Sequence, residues 1–136
     1  MIILDTSFIV SYWVEMDINH EKAKKLYNKK IKNGFFGEPA ATDYIFDETI
    51  TVVFYRTKSL TNAVIAGDNL EHSVHMIDID DLIFNDSWNL FKSQKDTKFS
   101  FTDCTIISAM KLYGVKYVAT FDKDFRKVDG IKVVDS

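Results

Sequence analysis

An α/β fold, with a parallel sheet covered by helices on both faces, is what this chain predicts. Three observations carry that expectation. Ile2-Ile3-Leu4 is an apolar run without alternation, as in a strand buried on both sides, and Asp5, Thr6 and Ser7 follow it at once. Short apolar runs recur at residues 74–79, 115–120 and 131–134, with helical stretches between most of them. One proline and five glycines in 136 residues leave little room for long irregular loops.

Taken in order, residues 7–16 should form a first helix with Phe8, Tyr12 and Trp13 inward. Asp17-Ile18-Asn19 breaks it. A second helix over 20–33 carries Ala23, Leu26, Tyr27 and Ile31 on one face, lysines on the other, and Gly34 as its stop. Residues 35–42 contain Pro39, which predicts a short edge strand. A long helix over 43–58, capped by Thr42 or Asp43, is rich in aromatic and β-branched residues, so packing rather than propensity must hold it. Another helix covers 61–72, where Gly67 weakens the pattern. After the strand at 74–79, Asp80 and Asp81 open a helix to about residue 95, with Leu82, Ile83, Trp88, Leu90 and Phe91 as burial candidates. The plainest helix spans 102–113 and closes at Gly114; a turn with a short helical piece at 121–127 precedes the last strand. No repeat, low-complexity stretch or internal boundary interrupts residues 1–136, so one domain is expected.

Composition narrows the function classes. The single cysteine, Cys104, rules out an internal disulfide or a Cys-rich zinc site and reads as a small buried hydrophobe. No apolar run reaches the roughly 20 residues of a membrane helix, and the N-terminus lacks the basic region of a signal peptide, so a cytoplasmic protein is expected. A net charge of −3 makes no global case for nucleic acid. Six lysines between Lys22 and Lys32 form a basic stripe, which suits either a phosphate-bearing ligand or a solvated helix face. His20, His72 and His75 have no mutual metal-ligand spacing and read as surface or satisfied core residues.

Four carboxylates are harder to dismiss. Asp5 ends a buried strand, which puts it at the carboxyl edge of the sheet, where open α/β folds bind ligands; the ordinary alternative is a helix N-cap. On a 3.6-residue period Glu48 shares a stripe with Tyr44, Ile45, Val52 and Tyr55, while Asp47 shares a wet side with Asp43, Thr51 and Lys58. Either Glu48 serves a site, or it lies at the margin of that stripe, paired with Arg56. Ser100 and Asp103 have capping-box spacing, yet Asp103 can also face the sheet edge. Asp122 follows the strand ending at Thr120; Asp124 is the weaker candidate of that turn. Clustered carboxylates repel one another unless a cation sits among them, and an all-oxygen set favours Mg2+ or Mn2+ over zinc. Such an ion suits phosphodiester hydrolysis.

In order and spacing, Leu4-Asp5-Thr6-Ser7, Asp47-Glu48-Thr49, Phe101-Thr102-Asp103 and Thr120-Phe121-Asp122-Lys123-Asp124-Phe125 resemble the PIN domain, and within it the VapC-type toxins. The resemblance covers nearly the whole chain. It implies a three-layer α/β/α fold with a central, mostly parallel four- to five-stranded sheet. It also implies a Mg2+- or Mn2+-dependent ribonuclease whose catalytic and metal-binding quartet is Asp5, Glu48, Asp103 and Asp122, supported by Thr6, Thr120 and Asp124. An RNA substrate, a cognate antitoxin and a homodimer are implied as well. Lys25, Lys29, Lys123 and Arg126 are candidates for touching the RNA backbone. Where many members carry a leucine-rich segment, residues 49–56 here are β-branched and aromatic.

Other acidic-pocket proteins fit less well. A receiver domain has an acidic pair after its first strand and a late lysine; a haloacid-dehalogenase-like phosphatase has Asp-x-Asp-x-Thr, whereas residue 7 is Ser. Neither glycine fingerprint for nucleotides is present. A non-catalytic RNA- or protein-binding PIN module, and a housekeeping nuclease of RNA processing, are the alternatives kept.

Overall fold

The computed structural model describes residues 1–136. Its centre is a five-stranded sheet with β1 (Ile2–Leu4), β2 (Pro39–Thr42), β3 (His75–Ile77), β4 (Tyr117–Ala119) and β5 (Lys132–Val134) in the order β3-β2-β1-β4-β5. Every pairing is parallel. Six α-helices flank the sheet: α1 (Thr6–Trp13), α2 (His20–Leu26), α3 (Asp43–Thr57), α4 (Leu60–Ser73), α5 (Asp81–Lys92) and α6 (Phe101–Tyr113). The expected α/β architecture with a parallel sheet is the observed one.

β1 is fully enclosed because it pairs on both sides, Ile2 standing opposite Pro39 and Tyr117, and Ile3 opposite Ala40 and Val118. All three of its residues are buried, which is what an unalternating apolar run requires. From β1 the chain steps to β2 and β3 on one side, then crosses to β4 and β5 on the other. Strand order therefore reverses between β1 and β4. Crossovers between parallel strands are right-handed, so the reversal opens a crevice at the carboxyl ends of these two strands. Asp5 leaves β1 at that crevice, and Thr120 leaves β4 beside it; Asp5 N–H donates to Ala119 O at 3.0 Å.

Several local expectations are corrected. Pro39 does not mark an edge: β2 lies between β1 and β3. The proline is tolerated because it is the first residue of its strand, where the missing N–H costs least. The helix expected over 20–33 turns from α2 into a π-turn, Tyr27–Ile31, before the positive-φ Gly34. On α3 the buried residues are Ile45, Thr49 and Val53, not the stripe through Tyr44, Val52 and Tyr55; Tyr55 is 77% exposed. On α5 only Ile83 of the large candidates is buried, Leu90 is half-buried, and Leu82 (63%) and Trp88 (48%) are exposed, as is Phe91. α6, by contrast, buries seven consecutive residues from Cys104 to Met110, as a helix packed nearly all round must.

Gly67 has a packing reason. A Cβ there would come within 3.2 Å of Ile50 Cγ2 and 3.5 Å of the Phe46 ring, so the missing side chain lets α4 lie close against α3. Gly67→Val should destabilise the fold by about 1–3 kcal/mol through overpacking, read as a lower urea midpoint with an unchanged slope. A neutral result would mean that α3 and α4 can separate freely.

A candidate metal and phosphodiester site

The crevice is a cleft of about 500 Å3 whose walls include Asp5, Glu48, Asp103 and Asp122. Four elements deliver them. Asp5 occupies the N-cap position of α1 but makes no side-chain capping bond. Instead its Oδ2 accepts from Thr120 Oγ1 at 2.7 Å and from Ser7 Oγ at 2.8 Å, and the residue is only 3% exposed. Its carboxylate thus joins the end of β1 to the end of β4. Ser7 completes the triangle: its Oγ lies 3.2 Å from Thr120 Oγ1 and accepts from Phe121 N–H at 3.2 Å. Thr120 thereby orients the Asp5 carboxylate. Ser7 was not expected to do so, because an Asp-Thr-Ser run after a strand reads first as helix-start chemistry.

Glu48 is half-buried and Asp47 exposed, which upholds the contrast between them. The reason differs from a place in mid-stripe. With Ile45, Thr49 and Val53 inward, Glu48 lies on the flank of the buried stripe, turned to the cleft. Its alternative partner is taken, since Arg56 Nη1 donates to Asp17 Oδ2 at 2.6 Å. Asp103 satisfies both readings at once. Ser100 Oγ accepts from Asp103 N–H while Asp103 Oδ2 accepts from Ser100 N–H, a complete capping box, and the carboxylate still lines the cleft. Asp122 accepts the Asp124 N–H on Oδ1 at 2.9 Å.

Asp124 itself turns away. Its carboxylate pairs with Lys127 Nζ at 3.0 Å, which holds it below the usual carboxylate range, and it is absent from the cleft wall. Lys25 and Lys29 are exposed on the α2 side, Lys123 is exposed, and Arg126 pairs with Asp135 at 2.7 Å; none of the four lines the cleft. Lys22 comes near it, with Nζ 5.8 Å from the centroid of Phe121, a cleft residue. His20 is a satisfied core residue, Nδ1 lying 2.9 Å from Ser11 O, and Cys104 is buried, with its thiol pushed up to about 11 by that burial.

The electrostatics are those of a crowded acidic pocket. Burial raises the Asp5 carboxyl above its ordinary range, and Glu48 adds to the rise against the lowering by the Thr120 and Ser7 hydroxyls. Asp103 is raised as well, to about 7, by burial first and then by the charges of Asp5 and Asp122. Thr6 Oγ1, also in the cleft wall, is buried without a hydrogen-bond partner. As the side chains stand, no three carboxylates close on one point, and Asp103 and Asp122 each spend an oxygen on a local backbone N–H. Hard oxygen donors, mutual repulsion and an orphan hydroxyl nonetheless fit a divalent cation such as Mg2+ or Mn2+.

The family model described as "PIN domain" matches residues 2–131. A curated relative, Ribonuclease VapC6 of Methanocaldococcus jannaschii, is 26% identical over 152 residues, covering 98% of this chain and 95% of that protein. Among solved structures, Mycobacterium tuberculosis VapC20, a toxin that cleaves the sarcin-ricin loop, superposes with a TM-score of 0.87 at 24% identity over the full length of both chains. A toxin–antitoxin complex from Klebsiella pneumoniae gives 0.68 at 18% identity, covering 98% of this chain and 96% of that one. At these identities the two structures establish the fold.

A carboxyl raised in the folded state binds protons that the unfolded chain has already released. Asp103 therefore contributes stability below pH 3.8 that is lost as pH rises toward about 7. The metal-free protein should melt progressively lower across that window. Mn2+ should raise the melting temperature at pH 7.5 far more than at pH 5, and Asp103→Asn should flatten the pH dependence. A metal-free melting temperature that climbs from pH 5 to 7.5 would contradict the pocket electrostatics.

Proposed function

This chain belongs to the PIN-domain family, and from that premise we propose that it is an endoribonuclease acting as the toxin of a toxin–antitoxin pair. The observation that carries the proposal is the gathering of Asp5, Glu48, Asp103 and Asp122 on one cleft at the switch point of the sheet. The VapC names of its relatives point to the same chemistry. No helix is long and apolar enough to cross a membrane.

The four carboxylates would hold Mg2+ or Mn2+, with Asp5 as the fixed member because two hydroxyls already orient its Oδ2. A divalent cation in this position supplies acidity to an attacking water and neutralises charge on the phosphoryl group. Asp103, whose carboxyl is raised to about 7, would have to be deprotonated to hold the ion, so metal binding at pH 7 should release protons. Phe121 and Ser100 wall the cleft around the reacting phosphate. The whole of residues 1–136 is read as one nuclease domain, working in the cytoplasm on RNA.

Partners follow from the same reading. A cognate antitoxin is supported by the toxin–antitoxin complex among the structural neighbours. A homodimer is supported by the exposed aromatic strip on α5, where Phe84, Trp88 and Phe91 surround Phe101. Trp88→Glu should shift the protein to the monomer mass in light scattering; an unchanged mass places the interface elsewhere.

Incubating the protein with RNA, with Mn2+ and then with EDTA, tests the enzyme. Cleavage should require the metal. Asp5→Asn should abolish it with the fold intact by circular dichroism, and Glu48→Gln should lower kcat/KM by about a hundred-fold or more. Asp47→Asn should be nearly silent. Full cleavage by the Asp5 variant would overturn the assignment and leave a binding module in its place.

A further inference from the structure

We infer that Arg56, held ready by Asp17, is a positioning residue that grips a phosphate flanking the scissile one; this rests on the ribonuclease reading above. The cleft wall contains five carboxylates, those of Asp5, Asp17, Glu48, Asp103 and Asp122, and a single cationic side chain, Arg56. A polyanion entering so acidic a cleft needs a cationic contact beyond whatever cation the quartet holds. Arg56 is the side chain placed to supply it.

Its setting is unlike that of a stray surface arginine. Asp17 is held from three directions: Ser11 Oγ donates to its Oδ1 at 2.8 Å, Asn19 N–H to the same oxygen at 2.9 Å, and Arg56 Nη1 to Oδ2 at 2.6 Å. The Asp17 side chain is only 13% exposed, whereas that of Arg56 remains 41% exposed. Ser11 and Asn19 already anchor the 14–19 loop, so the guanidinium is not required to tie that loop down. Asp17 instead fixes one corner of the planar fork and leaves the other N–H groups of a cleft-lining, half-exposed guanidinium uncommitted to any protein acceptor.

Position sets the role. Arg56 follows Glu48 by eight residues on α3, so the two lie about 12 Å apart along the helix axis at 1.5 Å per residue. That is too far for the phosphorus under attack and suits a neighbouring phosphate. A contact made equally in the ground state and the transition state raises KM when lost and leaves kcat alone. Asp17 and Arg56 thus determine where the strand lies across the carboxylates.

The test uses the full chain, Mn2+ and a fluorescent single-stranded RNA oligonucleotide over a salt series. Arg56→Gln should raise KM about ten-fold with kcat within about two-fold. The slope of log(kcat/KM) against log salt should shrink by about 0.7, one single-strand phosphate contact. Arg56→Lys should recover most of the slope, and Asp17→Asn should raise KM less than Arg56→Gln does. Should Arg56→Gln fold poorly by thermal melting, Arg56→Met, which keeps the stem and loses the charge, reads KM and slope in its place. Unchanged KM and slope in the folded variant that lacks the charge, or a fall in kcat alone, overturns the inference while wild-type cleavage preserves the ribonuclease reading. A wild-type protein that neither binds nor cuts the RNA overturns that reading and this one with it.

Discussion

The structure depends on keeping one nearly buried carboxylate in place. Asp5 sits at the end of the only strand flanked by two parallel neighbours that lead in opposite directions across the sheet. A charge there would cost several kcal/mol if left alone. The Thr120 and Ser7 hydroxyls reduce that cost, and the N-terminus of α1, where Asp5 occupies the cap position, favours negative charge as well. These groups do not cancel the burial: the carboxyl remains raised.

Much of this was legible in the sequence because strand ends are simple grammar. An apolar run without alternation followed by Asp or by Thr-x-Asp puts polar groups at the carboxyl edge of a parallel sheet, and both Asp5 and Asp122 obeyed it. Asp103 was legible twice over, since one side chain completes the capping box and lines the cleft. Glu48 was found for a partly wrong reason. A 3.6-residue stripe turns aromatic residues of α3 inward, yet Tyr55 stands in solvent and the small Thr49 is buried beneath the helix. Tertiary packing, not hydrophobicity, chose the face.

The rest was hidden because it depends on pairs distant in sequence. Ser7 becomes a site residue only when β4 arrives to set Thr120 and Phe121 beside it. Asp124, the weaker candidate of its turn, is claimed by Lys127, which lies next to it only once the 3-10 turn has formed. The lysine stripe drew attention because it was dense, but charge density along a helix says nothing about which side meets the cleft; Lys22 comes near it and Lys25 and Lys29 do not line it. Pro39 misled for a local reason, its missing donor falling at the first position of an interior strand.

The hydroxyl triangle at Asp5 also bears on biosynthesis. Asp5 and Thr120 are 115 positions apart, yet the second fixes the first. A chain emerging from the ribosome makes its first carboxylate long before the hydroxyl that orients it, and Asp122 later still. The cleft therefore cannot assemble on a partly made chain, whatever helices have already formed. A nuclease built in this order is inert through most of its own translation and becomes competent only when β4 pairs with β1.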